Sequence, residues 1–154
     1  MDQVDREILL LLQEDASLTA RELAEHVGLT PTPCWRRVQN LEAAGVITKR
    51  VALIDPAAVN LDVTALVQIR TNNHSAEWLD QFAAAIDTLP EIVEAYRTSG
   101  EIDYILRVVV PSIDAYDGFY RRLIDAVDLY DVRTVFVMER MKQTTALPLT
   151  YLDT

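Results

Sequence analysis

Residues 18–50 read LTARELAEHVGLTPTPCWRRVQNLEAAGVITKR. Thr19 and Glu22 stand at the spacing of a capping box, in which each side chain satisfies the other's free backbone N–H, so a helix starts here. Leu23 and Val27 supply its inner face, and Gly28 is placed to end it in a left-handed conformation. Thr30 then stands where it caps a further helix. Pro31 falls at the first position of that helix, where the missing N–H costs nothing, and Pro33 still lies in its first turn. Val38 and Leu41 face inward, and Gly45 ends the helix. Val46 to Ile54 is extended and β-branched, consistent with a winged hairpin. Upstream, Val4, Ile8, Leu11 and Leu12 recur at helical spacing across Asp2 to Glu14. Two helices joined by a short Gly turn, followed by a basic extended segment, form the layout of a helix-turn-helix reader of duplex DNA.

The second of those two helices carries the chemistry. Thr32, Trp35, Arg36, Arg37, Gln39 and Asn40 lie off its inner face. Such side chains reach base edges or phosphates in a major groove, Arg to guanine and Asn or Gln to adenine. Lys49 and Arg50 follow in the basic segment, near phosphates. An Arg pair alone is more often a solvated helix face; the capped helix, Gly turn, Pro-started helix and basic extension together point to DNA.

The chain is acidic overall, with formal net charge −10 over 154 residues. The acidity is uneven. Residues 51–154 hold most of it, while Trp35–Arg50 carries Arg36, Arg37, Lys49 and Arg50 against Glu42 alone. This argues against loose nonspecific binding of nucleic acid. It leaves room for a local basic edge, because exposed charges beyond about 8–10 Å are largely screened at physiological salt. Half the residues are hydrophobic and only 4 are Gly, so the chain folds. No apolar run reaches the roughly 18 residues of a membrane span. The opening MDQVDRE lacks the marks of a signal peptide, and the single cysteine forms no internal disulfide, so a cytoplasmic setting is expected.

After a linker over 51–61 the period changes. Val63, Ala65, Val67 and Ile69 alternate with Thr64, Leu66, Gln68 and Arg70, which is a strand. Ser75 caps a helix with Trp78, Phe82, Ile86 and Leu89 inward. Ile92–Thr98 and Tyr104–Val110 are strands around Ser99-Gly100. Pro111-Ser112 opens a helix with Tyr116, Phe119, Leu123 and Val127 on one face, and Val132–Glu139 is a final strand. The order βαββαβ is the ferredoxin-like plan, an antiparallel sheet with both helices on one face. Its other face would hold some of Leu66, Phe136, Val137 or Met138, which favours dimerisation. The expected domains are therefore 1–50, a winged helix-turn-helix, and 62–154, a ferredoxin-like effector-binding and oligomerisation domain. The fold class is α+β.

Other chemistry is sparse. Cys34, at the helix start, has a reactive-thiol reading, but a small packing residue is the commoner role. His26 and His74 lack a second ligand at metal spacing, so no metal site is expected. No nucleophile elbow, phosphate loop or dinucleotide fingerprint is present. Glu101 and Asp103 lack the further partners an enzyme would need, and no catalytic residue or cofactor is expected. The turn Thr98 to Tyr104 offers backbone N–H groups around Gly100 for a carboxylate and Asp103 for an ammonium group. That is the complement of an amino-acid zwitterion, although most such stretches are hairpin turns only.

These stretches resemble the Lrp/AsnC family of feast/famine transcriptional regulators. The resemblance rests on 18–47, on Thr98-x-Gly100-x-x-Asp103-Tyr104 with the strand that follows, and on Lys142-x-Thr144-Thr145-x-Leu147-Pro148-Leu149. It implies a sequence-specific DNA-binding regulator that is not an enzyme, dimers through the sheet faces, and assembly often to octamers. It also implies an amino-acid effector held between dimers, with Tyr96, Thr98, Gly100, Asp103 and Tyr104 around it. Thr32 to Arg37 and Thr71-x-x-His74-Ser75-x-Glu77-Trp78 are similar to the branch that controls cysteine detoxification, which suggests L-cysteine. The alternative is a nutrient-sensing protein–protein adaptor that does not bind DNA itself.

Overall fold

Two capping boxes and a C-cap glycine set the first helices. In the computed structural model, which describes residues 1–152, α1 spans Gln3–Glu14, α2 Ala20–Val27 and α3 Pro31–Ala43. Asp2 and Asp5 form a capping box at α1, and Thr19 and Glu22 form the expected one at α2. Gly28 takes φ +67°, the left-handed C-cap conformation that only Gly adopts cheaply. The N-cap of α3 departs from expectation. Thr30 sits at the N-cap with extended backbone, but its hydroxyl makes no cap bond. Such a hydroxyl bonds the second or third helical N–H, and the third residue is Pro33, which has none.

Ile8, Leu9, Leu23, Ala24, Cys34, Val38 and Leu41 form the core of this helical unit, with Ile47 and Leu149 packed against it. The hairpin expected over 46–54 does not form: no strand is found there. Ile47 is drawn onto the helical core and Arg50 bonds Glu42, while Val51, Leu53 and Ile54 stay exposed with no partner strand. A β-branched run without a ladder partner is only extended chain.

The chain divides into two compact units, Met1–Leu53 with the tail from Lys142, and Ile54–Met141. The tail, expected within the 62–154 domain, here groups with the first unit. Gln13 explains the tail's placement: its Nε2 donates to the Leu147 carbonyl at 3.3 Å and its Oε1 accepts from the Leu147 N–H at 2.6 Å.

In the second unit, β1 (Val63–Arg70), α4 (Ala76–Thr88), β2 (Ile92–Arg97), β3 (Tyr104–Val110), α5 (Ile113–Ala126) and β4 (Asp131–Phe136) follow the βαββαβ order. The sheet order is β2-β3-β1-β4, antiparallel throughout. A short 3-10 turn, Ala57–Val59, lies in the segment read as linker. Alternation sorts the strands as expected: Ala65, Val67 and Ile69, with Leu106 and Val108 opposite, bury one face against Trp78, Phe82, Phe119 and Leu123. Phe136 belongs to this covered face, where its ring meets Tyr116 edge-on at 5.2 Å, so it leaves the open face. Leu66 stays on the open face, between Arg107 and Val135.

Phe119 is fully buried. Phe119→Ala should therefore cost about 3–5 kcal/mol in urea unfolding, the usual range for deleting a core ring. A loss below about 1 kcal/mol would contradict this packing.

Candidate functional site

Helix α3 divides its residues by angle. Cys34, Val38 and Leu41 are buried on one side. Thr32, Arg36, Gln39 and Asn40 project from the opposite side, all exposed, and Trp35 flanks them half-exposed. Arg36 has no partner among the described residues, and neither has Lys49. Gln39 and Arg50, also expected at DNA, are engaged within the chain. Gln39 Nε2 donates to Glu42 Oε2 at 2.8 Å, and Arg50 donates to Glu42 Oε1 at 3.0 Å and to the Ala16 carbonyl at 3.4 Å.

Arg37 differs most from expectation. One guanidinium nitrogen lies 2.8 Å from Asp2 Oδ2 and 2.7 Å from Asp5 Oδ1. The side chain is turned from the free face of α3 onto the start of α1. The Asp5 N–H and the Arg37 guanidinium hold the Asp2 carboxyl below its ordinary value, and the two carboxylates hold Arg37 more firmly protonated. Asp2 therefore adds stability that is present above about pH 3.8 and is lost as pH falls through its lowered value. The Asp2-x-x-Asp5 spacing was a readable signal of the cap, but nothing in one sequence announces which Arg it meets.

The second candidate region is the Thr98–Asp103 turn. The Thr98 N–H donates to the Asp103 carbonyl at 2.8 Å, and the Thr98 hydroxyl donates to the Ile102 carbonyl. Gly100 takes φ +116°, and a Cβ there would meet nothing within 4 Å. The glycine thus serves the backbone conformation and not a close approach. Asp103 is already committed on one side: its Oδ2 accepts from the Thr71 N–H at 2.8 Å, and its own N–H donates to the Ile69 carbonyl at 3.0 Å. Thr71 in turn bonds Asn73, Asn73 Oδ1 accepts from the Ser75 N–H, and the Ser75 hydroxyl accepts from the Trp78 N–H. A continuous run of bonds thereby joins the turn to the start of α4.

The other expected effector residues separate. Tyr96 is exposed, and its hydroxyl donates to Glu94 Oε2 at 2.8 Å; Arg107 bonds the other oxygen of Glu94 at 2.7 Å. Sequence reading missed this open-face trio because its members come from two strands. Tyr104 points the other way, into the core, with its ring 4.6 Å from Phe82 and 5.8 Å from Trp78. Its buried hydroxyl has no partner among the described residues. The turn therefore presents Gly100 and one Asp103 oxygen, while Thr98 braces it from within and Tyr104 supports it from beneath. Among the described residues no cluster of three or more His, Cys, Asp or Glu could hold a metal, and no helix is long and apolar enough to cross a membrane.

Two family models match the chain. One, winged helix-turn-helix DNA-binding, covers residues 1–48, and the other, the Lrp/AsnC ligand binding domain, covers 64–147. The DNA-binding transcriptional activator DecR of Escherichia coli (strain K12) is 45% identical over 150 residues, 97% of this chain and 99% of that protein. An AsnC family transcriptional regulator from Agrobacterium tumefaciens, known as a crystal structure, is 55% identical, with TM-score 0.95 and 99% of each chain covered. A transcriptional regulator from Neisseria meningitidis, crystallised as its complex with L-Met, is 35% identical, with TM-score 0.94 and 99% of each chain covered.

Cys34 is fully buried, and burial pushes its thiol pKa up, partly offset by the Arg37 charge. A buried, protonated thiol is a poor nucleophile. Thiol-reagent labelling of the folded protein should run about a hundredfold or more slower than in denaturant, limited by opening of the helical unit. Labelling at the denatured rate would contradict this placement of Cys34.

Proposed function

The chain belongs to the Lrp/AsnC family of DNA-binding transcriptional regulators, and we propose that it reads duplex DNA with the free face of α3, centred on Arg36. The observation that carries this reading is the position of Arg36, opposite the buried stripe of α3 and without a partner among the described residues. Thr32, Trp35, Gln39 and Asn40 surround it and supply hydrogen-bond groups and apolar surface for base edges. Lys49 is free to meet phosphate. Arg50 reaches phosphate by exchanging its bond to Glu42.

The second unit is an amino-acid-binding domain by family. We infer that its effector is L-cysteine, held at the Thr98–Asp103 turn between dimers. The turn supports this with a free backbone at Gly100 and an uncommitted oxygen on Asp103, and the Neisseria regulator in complex with L-Met supports a sulfur-containing side chain. The open sheet face, with Leu66, Val135 and the Tyr96–Glu94–Arg107 trio, supports self-association as a dimer, and dimers joined further give an octamer. Several reading heads on one assembly raise the local concentration at a paired site, which lets an acidic chain hold DNA through heads that are individually weak. A cytoplasmic location follows from that role. No observation favours the adaptor alternative.

Arg36→Ala should weaken binding to the preferred duplex about tenfold or more, the range of one specific base contact, and relax preference at one base pair. Unchanged affinity in an electrophoretic or anisotropy titration would remove Arg36 from the surface. For the effector, a thermal-shift panel of amino acids should show L-cysteine raising the melting temperature by several degrees, since about 100-fold saturation stabilises a site by roughly 2.7 kcal/mol. A shift with another amino acid and none with millimolar L-cysteine would reassign the effector.

A further inference from the structure

We propose that Arg37 is a positioning residue: the carboxylate pair that caps α1 grips it and thereby sets the angle at which α3 presents Arg36. The inference rests on the DNA-reading assignment above and deepens it. Its basis is how the four carboxylate oxygens of Asp2 and Asp5 are used. Asp2 Oδ1 accepts from the Asp5 N–H at 2.9 Å, and Asp5 Oδ2 accepts from the Asp2 N–H at 3.0 Å. Those two bonds close the cap. The remaining oxygens, Asp2 Oδ2 and Asp5 Oδ1, both meet the same guanidinium nitrogen of Arg37. Every oxygen is used once, so the cap and the grip are one structure.

Charge excludes the simpler role. Two carboxylates around one guanidinium leave a net charge of about −1, which repels a phosphate that approaches Arg37. Arg36, the residue before it, forms no ion pair among the described residues. Position supports the same division. Arg37 lies on the flank of α3 toward α1, with its side chain 32% exposed and that of Asp5 only 16%. From α1, Ile8 and Leu9 are buried, and Val4, Leu11 and Leu12 pack partly buried against the same core. The ion grip adds a directional polar tie between the start of α1 and the middle of α3. Adjacent arginines thus split the work, one contacting DNA and the other aiming its neighbour.

The test uses the full chain and the duplex it selects from a random-sequence pool, with a scrambled duplex as reference. Affinity for both is measured across NaCl concentrations for Arg36→Ala, Arg37→Ala, Arg37→Lys, Asp5→Ala and the Asp5→Ala/Arg37→Ala pair. Positioning predicts that Arg37→Ala weakens the selected duplex about five- to tenfold, leaves the scrambled duplex unchanged, and keeps the salt slope. Asp5→Ala should weaken the selected duplex too, although it removes a negative charge. The paired variant should be no worse than the weaker single one, because both remove one contact, and Arg37→Lys should recover part of the loss. The proposal is overturned if Arg37→Ala lowers the salt slope by about one, the mark of a lost phosphate contact, or if Asp5→Ala tightens binding. It is also overturned if neither variant changes the selected duplex while Arg36→Ala does. No effect in Arg36→Ala would instead sink the parent reading. Should Arg37→Ala unfold the helical unit by circular dichroism, Arg37→Lys and Asp5→Asn carry the same comparison.

Discussion

Helix α3 must bury one side and leave the other free, and it has only Cys34, Val38 and Leu41 with which to do so. A unit of this size hides little apolar surface, so its helices depend on satisfied ends and a few polar ties. The Asp2–Asp5 box, the Thr19–Glu22 box and the left-handed Gly28 each secure a helix terminus within a short stretch. Arg37 joins two of those helices where the apolar stripe is narrow. Gln13 holds the returning tail by a pair of bonds to Leu147, and Leu149 adds an apolar contact. Polar ties here do much of what a larger core does elsewhere.

The second unit solves a different problem. Its sheet buries one face completely, with aromatic rings from α4 and α5 lying over Val67, Leu106 and Val108. Trp78 stacks on Phe82 at 5.0 Å and still satisfies its indole N–H through the Asp128 carbonyl at 2.7 Å. The turn that ends β2 inherits this rigidity. Asp103 hangs from the ends of β1 on one side, and Tyr104 anchors in the ring cluster on the other. A turn fixed at both roots presents its backbone in a defined arrangement without bulky residues of its own.

Patterns with a fixed period were legible before any coordinates. The alternation from Val63 to Arg70 and the helical spacing of Tyr116, Phe119 and Leu123 placed the sheet and its cover. Local chemistry was legible as well: Thr19, Gly28, Ser75 and Ser112 all cap where expected. What escaped depends on distance along the chain. Arg37 meets Asp2 and Asp5, Gln13 meets Leu147, and Glu94 meets Arg107, and no periodicity encodes such pairings. Two departures are local. The Thr30 cap failed because Pro33 withholds a donor, and the hairpin over 46–54 failed because β-branched residues need a partner strand. In the candidate sites, residue identity pointed to one helix face and one turn. Side-chain direction, which separates Arg36 from Arg37 and Tyr96 from Tyr104, required the fold.

Gly100 carries a last consequence. Its φ of +116° lies in the region that left-handed amino acids avoid, yet open space surrounds the point where a side chain would start. The requirement at this position is therefore one of handedness and not of volume. An L-alanine would strain the backbone without touching any neighbour, so its whole cost would be conformational.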